Sequence, residues 1–225
     1  MQALARPGVA ADRPRRAKPR RRFPPEVLTD AEVRALLDAC GRYHPVALRN
    51  RALIALMYRA GLRVSEALAL QPKDVDLEAG TLRVLHGKGD RARTVGVDPG
   101  AAAVVGEWLE ARKELPVGPK SPLICTLGGL PLITGYVRKL LPRLAAKAGI
   151  EKRVHAHGLR HTFASQLRAE GFDVAIISRQ LGHRSLLTTI TYLNHLNPVA
   201  VVEAVRSRGW AASMPCANQY GALAP

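Results

Sequence analysis

The sequence predicts an α+β domain that is mainly helical, with a small antiparallel β-sheet or hairpin near its middle. Most of the 225-residue chain places apolar residues at helical spacing between capping residues, and one central stretch alternates instead. Apolar residues make up 47% of the chain, which is enough to bury a substantial core. We expect one folded domain over residues 23–210, a basic disordered tail over 1–22 and a loose tail over 211–225.

Three helices are predicted at the start of the folded domain. Thr29 and Glu32 have the spacing of a capping box ahead of an apolar helical stretch. A second helix is predicted over residues 45–60, with Gly61 as its C-terminal stop. A short third helix follows over residues 65–70.

A change to alternating, β-branched residues predicts the hairpin. Residues 81–85 and 91–97 alternate on either side of the turn His86-Gly87-Lys88-Gly89-Asp90. A loop over residues 118–129 holds one apolar run, at 123–126, which we interpret as a third strand.

Helices dominate the remainder of the chain, and capping residues, prolines or glycines bound them. The predicted spans are 99–115, 134–147, 158–170, 173–182, a short helix from 185 and a last helix over 198–206.

The net charge and the cysteine content indicate the kind of partner and the cellular compartment. Lys and Arg number 34 against 18 acidic residues, a net charge of +16 that favours a polyanionic partner such as nucleic acid. The same charge also suits a ribosome-bound protein. The three cysteines are scattered and form neither a disulfide framework nor a CxxC pair, so we expect the reducing cytoplasm. No apolar run approaches the roughly 18–20 residues of a membrane span.

Several ionisable residues lie where a plain core would not place them. Arg63 follows the helix-ending Gly61 among apolar residues, so it must snorkel, pair with Glu66 or point into a site. Lys88 lies between two glycines on the hairpin turn, where it either reaches a phosphate or is simply solvated.

A second group of candidates lies in the C-terminal half. His157 and Arg160 are three residues apart and share one side of a helix, a pairing that suits a phosphoryl centre. His157 and His161 also have the spacing of a metal pair, but no HExxH motif or suitably placed carboxylate accompanies them, so we expect no metal and no cofactor. His183 is followed nine residues later by Tyr192, which by itself suits a half-buried core residue.

Taken in order, these segments resemble the catalytic domain of the tyrosine recombinases, the family of phage integrases and Xer-type resolvases. The resemblance covers about residues 29–205 and rests on AGLRVSE, GKG, HGLRH and LGH segments and on a tyrosine after a Thr-Thr pair. The positions that match the family's catalytic residues are Arg63, Lys88, His157, Arg160, His183 and Tyr192.

The resemblance implies that Tyr192 attacks a DNA phosphate to form a 3′-phosphotyrosyl link with a free 5′-hydroxyl, without ATP. Two guanidiniums can neutralise the charge that develops on the phosphate oxygens. We expect His157 to accept the tyrosine proton, Lys88 to protonate the leaving oxygen and His183 to hydrogen-bond a non-bridging oxygen.

The expected partner is double-stranded DNA, in a cytoplasmic, nucleoid-associated setting. Arg91, Arg93 and Arg184 are candidates for contacts with the DNA backbone, with a solvated surface as the alternative. The family implies a tetramer on paired sites, assembled through the helix from Pro198. Family members also carry a separate helical DNA-binding domain ahead of the catalytic one, so we expect either a minimal member or a second chain that supplies that half. Two other functions therefore stay open: a poorly active DNA-binding member, and a strand relaxer like the type IB topoisomerases.

Overall fold

The structure, a computed structural model, describes residues 26–85, 92–183, 185, 187, 189 and 190. Its helices and strands follow the predicted order, with three helices, a small sheet and then, within the described residues, four of the six later helices that the sequence predicts. They are α1 (Asp30–Ala39), α2 (Pro45–Tyr58), α3 (Val64–Ala69), a 3₁₀ helix (Pro72–Asp74), β1 (Val75–Asp76), β2 (Thr81–Val84), β3 (Arg93–Gly96), α4 (Pro99–Lys113), α5 (Thr134–Lys147), α6 (Ala156–Ala169) and α7 (Val174–Leu181).

Helix α1 begins with the predicted capping box. The Thr29 hydroxyl accepts from the Glu32 backbone N–H at 3.2 Å, and the Glu32 carboxylate accepts from the Thr29 N–H at 2.7 Å. These bonds satisfy backbone donors that the first turn of a helix leaves without partners.

Helix α2 is the centre of the fold. Every residue from Ala52 to Tyr58 is buried, because α2 packs against α4, α6 and α3 on different sides. A helix that is apolar around its whole circumference is stable only when its neighbours cover it on all sides. The C-terminal end of α2 therefore lies inside the domain, where it can hold a site.

The three-stranded sheet is antiparallel with the order β1-β2-β3. Strands β2 and β3 form the predicted hairpin, in which Thr81 pairs with Gly96 and Val84 with Arg93. The predicted strand at 123–126 is wrong: that segment makes only one isolated bridge, between Cys125 and Pro131, and the third strand is β1.

The segment at 123–126 is nevertheless buried, and its backbone partners explain the difference. The Leu123 N–H donates to the Leu70 carbonyl at 2.6 Å, and the Leu123 carbonyl accepts from the Trp108 indole at 2.8 Å. Since a helix end and a side chain satisfy this backbone, no neighbouring strand is needed. The periodicity of apolar residues alone cannot distinguish a buried strand from a buried loop.

The helix boundaries lie at the predicted residues or within two residues of them. Helix α5 has the predicted bounds, α6 begins two residues earlier than expected, and α7 ends at Gly182 as expected. The predicted helices from 185 and over 198–206 lie wholly or largely outside the described residues. In the part of the chain that the structure describes, no helix has the length and apolar character to cross a membrane.

Candidate active site

Two glycines in the left-handed conformation form the backbone frame of the site. Gly61 follows α2 with φ of 65°, and Gly182 ends α7 with φ of 64°. A Cβ at Gly61 would lie 2.5 Å from the Phe163 ring, and one at Gly182 would lie 2.7 Å from the Arg93 guanidinium. Glycine therefore gives both the turn and the close approach of neighbouring groups.

Arg160 links these two helix ends. Its side chain lies on α6 and the residue is 1% exposed. One terminal nitrogen donates to the Gly61 carbonyl and the other to the Leu181 carbonyl. The carbonyl end of a helix is its negative pole, so both contacts compensate the buried cation. Two of the five guanidinium donors are used in this way, and they fix the plane of the group.

Arg63 lies beside Arg160, at the N-terminus of α3. Its guanidinium donates to the Gly182 carbonyl at 3.3 Å and to Glu66 at 2.7 Å, and its side chain is 29% exposed. Arg63 and Arg160 bind the carbonyls of consecutive residues, 182 and 181, so both guanidiniums lie at the C-terminal end of α7. The pairing of Arg63 with Glu66 was one of the alternatives drawn from the sequence.

Glu66 carries the negative charge that balances this cluster. Its residue is 2% exposed, and its carboxylate accepts from Arg93 at 3.0 and 2.9 Å as well as from Arg63. Burial works against ionisation, but the hydrogen bonds from Arg93 and Arg63 outweigh it and lower the pKa of Glu66 to about 2. Glu66 is thus ionised near neutral pH.

The position of Arg93 could not be read from the sequence. The sequence predicts either a contact with the DNA backbone or a solvated surface for this residue. In the structure its guanidinium lies on Glu66, and its side chain is 15% exposed. The two residues are 27 positions apart in the chain. The sequence offers Arg63 as a partner for Glu66 and gives no signal for a second cation there.

Three histidines surround the arginines. His157 lies in the first turn of α6, and its ring meets that of His161 edge to face with centroids 4.3 Å apart. Burial and the charge of Arg160 lower the pKa of His157. Burial and the neighbouring His157 lower that of His161 to about 3. Both rings are therefore neutral near pH 7, the state in which an imidazole can accept a proton.

His183 directly follows Gly182 and completes the group. Burial and the charges of Arg160 and Arg63 lower its pKa to about 4. Its Nδ1 lies 2.7 Å from the hydroxyl of Thr189, which is fully buried. This hydrogen bond joins Thr189, which precedes Tyr192 by three residues in the sequence, to the site. The Thr-Thr pair drew attention in the sequence only as a marker for Tyr192.

The structure thus brings together four of the six predicted catalytic residues: Arg63, His157, Arg160 and His183. The others, Lys88 and Tyr192, lie outside the described residues, as do Arg91 and Arg184. Lys88 and Arg91 belong to the segment that joins β2 to β3. Among the residues described, no three His, Cys, Asp or Glu side chains are grouped closely enough to hold a metal ion.

The sequence and the fold of this chain are similar to those of known proteins. Residues 26–198 match the model of the phage integrase family. The tyrosine recombinase XerC of Halalkalibacterium halodurans is 38% identical over 174 residues, which cover 75% of this chain and 57% of that protein. The chain therefore spans little more than half the length of this relative.

Two crystal structures show the same fold. The XerA recombinase superposes with a TM-score of 0.73 at 30% identity, over 84% of this chain and 68% of that one. The XerH site-specific recombinase, bound to its palindromic difH substrate in a post-cleavage complex, superposes with a TM-score of 0.68 at 32% identity. That match covers 82% of this chain and 54% of XerH.

Proposed function

Because this chain belongs to the phage integrase family of tyrosine recombinases, we propose that it is a site-specific recombinase that cleaves and rejoins DNA through Tyr192. The single observation that carries the proposal is the pair of guanidiniums, Arg63 and Arg160, held on consecutive carbonyls at the end of α7. The fold and the family support it. The XerH structure, a relative bound to its DNA substrate after cleavage, supports the choice of substrate.

The arginine pair suits a phosphodiester in its transition state. Attack at phosphorus gathers negative charge on the non-bridging oxygens, and guanidiniums meet such oxygens with paired, charge-assisted hydrogen bonds. Arg160 is fixed by the Gly61 and Leu181 carbonyls before any DNA arrives. Charges oriented in advance stabilise a transition state without the cost of reorganisation.

Proton movements follow from the state of the histidines. The phenol of Tyr192, with an ordinary pKa near ~10, must lose its proton as its oxygen attacks phosphorus. His157 is the acceptor, since its lowered pKa keeps it neutral. His183, neutral for the same reason and held at Nδ1 by Thr189, presents Nε2 to a non-bridging oxygen.

The bond that breaks joins phosphorus to the 5′ oxygen of the next nucleotide. Lys88 gives that oxygen its proton and leaves a free 5′-hydroxyl, while the 3′ phosphate stays on Tyr192 as a phosphodiester. The number of phosphoester bonds is unchanged, so rejoining needs no ATP. Attack by the hydroxyl of a second strand gives exchange, and attack by the original hydroxyl restores the substrate.

We extend the proposal to the assembly and its setting. The partner is double-stranded DNA, and the active form is a tetramer on paired sites. The apolar helix predicted from Pro198, which carries Val199, Val201, Val202 and Val205, passes to a neighbouring copy. The setting is the bacterial cytoplasm, on the nucleoid, in line with the bacterial source of the XerC relative.

The test is covalent capture of DNA. A pool of nicked suicide duplexes with one randomised arm is incubated with the protein in chelator, and DNA that stays attached after denaturation is recovered and sequenced. We expect an adduct that Tyr192→Phe abolishes and that Tyr43→Phe, at a tyrosine 94% exposed, leaves intact. DNA binding without an adduct would overturn the proposal in favour of a binding protein, and relaxation of supercoils without exchange would favour a topoisomerase.

A further inference from the structure

Arg93 is the first residue of β3 and pairs with Val84 at the end of the sheet nearest the Lys88 turn. Its guanidinium meets Glu66 as a fork, with Nη1 to Oε1 at 3.0 Å and Nη2 to Oε2 at 2.9 Å. Such a two-point contact fixes the planes of both groups. We propose that Arg93 is a positioning residue that keeps Arg63 available for the phosphate.

The first step concerns how Arg63 shares Glu66. Arg63 reaches the carboxylate through one nitrogen, Nη1 to Oε1 at 2.7 Å, and through its backbone N–H to Oε2 at 2.9 Å. Arg93 occupies the side of the carboxylate that would accept a fork from Arg63. Without Arg93, Arg63 could take that fork for itself, and its donors would turn from the substrate to Glu66.

The second step concerns charge. Glu66 alone would cancel the charge of Arg63, since its lowered pKa keeps it ionised. Arg93 adds a second positive charge, so that Arg63, Glu66 and Arg93 together carry a single net positive charge. A phosphate that approaches Arg63 therefore meets a positive field and not a neutral ion pair.

The third step concerns the backbone beneath Arg93. Its guanidinium lies on Gly182, where a Cβ would be only 2.7 Å from Nε and Cζ. The Gly182 carbonyl accepts from Arg63 at 3.3 Å, and the next residue is His183. Arg93 thus touches the peptide that positions two of the predicted catalytic side chains. Any side chain at position 182 would displace it.

The fourth step concerns the hairpin. Arg93 ties the near end of β3 to Glu66, while Gln180 holds the far end through two bonds with Gly96, at 3.0 and 2.8 Å. Strand β3 is therefore attached to α3 at one end, through Glu66, and to α7 at the other, through Gln180.

The experiment rests on the proposed cleavage activity and separates positioning from DNA contact. Arg93→Gln and Arg93→Lys are compared with Arg83→Gln, which removes the same charge from the adjacent strand at a side chain 58% exposed on Asp74. Single-turnover cleavage of the captured duplex is measured at saturating protein. DNA affinity is measured over a series of salt concentrations.

We expect Arg93→Gln to cut at least tenfold more slowly at saturation, with DNA affinity and its salt dependence like those of Arg83→Gln. Arg93→Lys keeps the charge without the fork and should fall between Arg93→Gln and the wild type. The double variant with Glu66→Gln should be no slower than Glu66→Gln alone, because both changes act through one carboxylate. Unchanged cleavage by Arg93→Gln would overturn the proposal, as would weaker binding with a salt slope shallower by about one.

A readout apart from activity keeps the two proposals distinct. If the wild type forms no adduct, the proposed function fails, and Arg93 is then judged by NMR of the Arg63 guanidinium, assigned with Arg63→Lys. Arg93→Gln should shift and broaden that resonance while Arg83→Gln leaves it in place. An Arg63 signal that does not respond to Arg93→Gln would refute the positioning role.

Discussion

Replacement of Glu66 by glutamine tests the charge balance of the site. The variant keeps the size of the side chain but leaves the Arg63 and Arg93 guanidiniums, 29% and 15% exposed at the side chain, without their anion. The pKa of Glu66 falls from 4.5 to about 2 on folding. At ~1.4 kcal/mol for each tenfold change in proton affinity, that fall corresponds to about 3 kcal/mol of stability. Removal of one partner of a buried ion pair typically costs ~3–5 kcal/mol, a range that agrees with the value from the pKa of Glu66.

The sign of the pH dependence gives a second observable. Because folding lowers the pKa of Glu66, its contribution is complete above about pH 4.5 and is lost as the pH falls towards 2. The difference in unfolding free energy between wild type and Glu66→Gln should be about 3 kcal/mol at pH 7 and about 1 kcal/mol smaller at pH 3.5.

The assay is urea unfolding followed by circular dichroism at both pH values. Glu110→Gln is the control, since Glu110 forms an exposed ion pair with Lys113, in which the side chains are 70% and 67% exposed. Exposed pairs contribute little to stability, so this variant should unfold like the wild type. A loss below about 1 kcal/mol for Glu66→Gln, or a loss equal at both pH values, would refute the reasoning.

Three further predictions concern the frame and the histidines. Gly61→Ala places a Cβ 2.5 Å from the Phe163 ring at a positive φ, so we expect a loss of ~1–3 kcal/mol in thermal unfolding; an unchanged melting temperature would contradict this. Thr189→Val removes the hydroxyl that lies 2.7 Å from His183 and should slow cleavage. Thr189→Ser keeps a hydroxyl and should cleave as fast as the wild type. Equal cleavage rates for the two variants would exclude a role for the hydroxyl in cleavage. By NMR titration, His183 should protonate near pH 4 and His161 near pH 3. Because the unfolded chain binds those protons first, stability should fall as the pH drops below about 6.5. Midpoints near 6.5 would show that the rings are neither buried nor close to positive charge.

Local chemistry is what the sequence determined by itself. The Thr29–Glu32 capping box, the bounds of α5 and the glycine at the end of α7 depend on residues within one or two helical turns. The same holds for the alternating strands on either side of the Lys88 turn. The resemblance of the ordered segments to the tyrosine recombinases also pointed to Arg63, His157, Arg160 and His183 as catalytic candidates before any of them had a position in space.

Tertiary structure decided which atoms these side chains meet. Arg160 bonds a carbonyl 99 residues away, Arg93 a carboxylate 27 residues away, and Arg63 a carbonyl 119 residues away. No local pattern records such contacts, because they depend on how α2, α6 and α7 pack against each other. The buried segment at 123–126 became a loop and not a strand for the same reason: its hydrogen-bond partners come from distant elements, and only the folded chain brings them within reach.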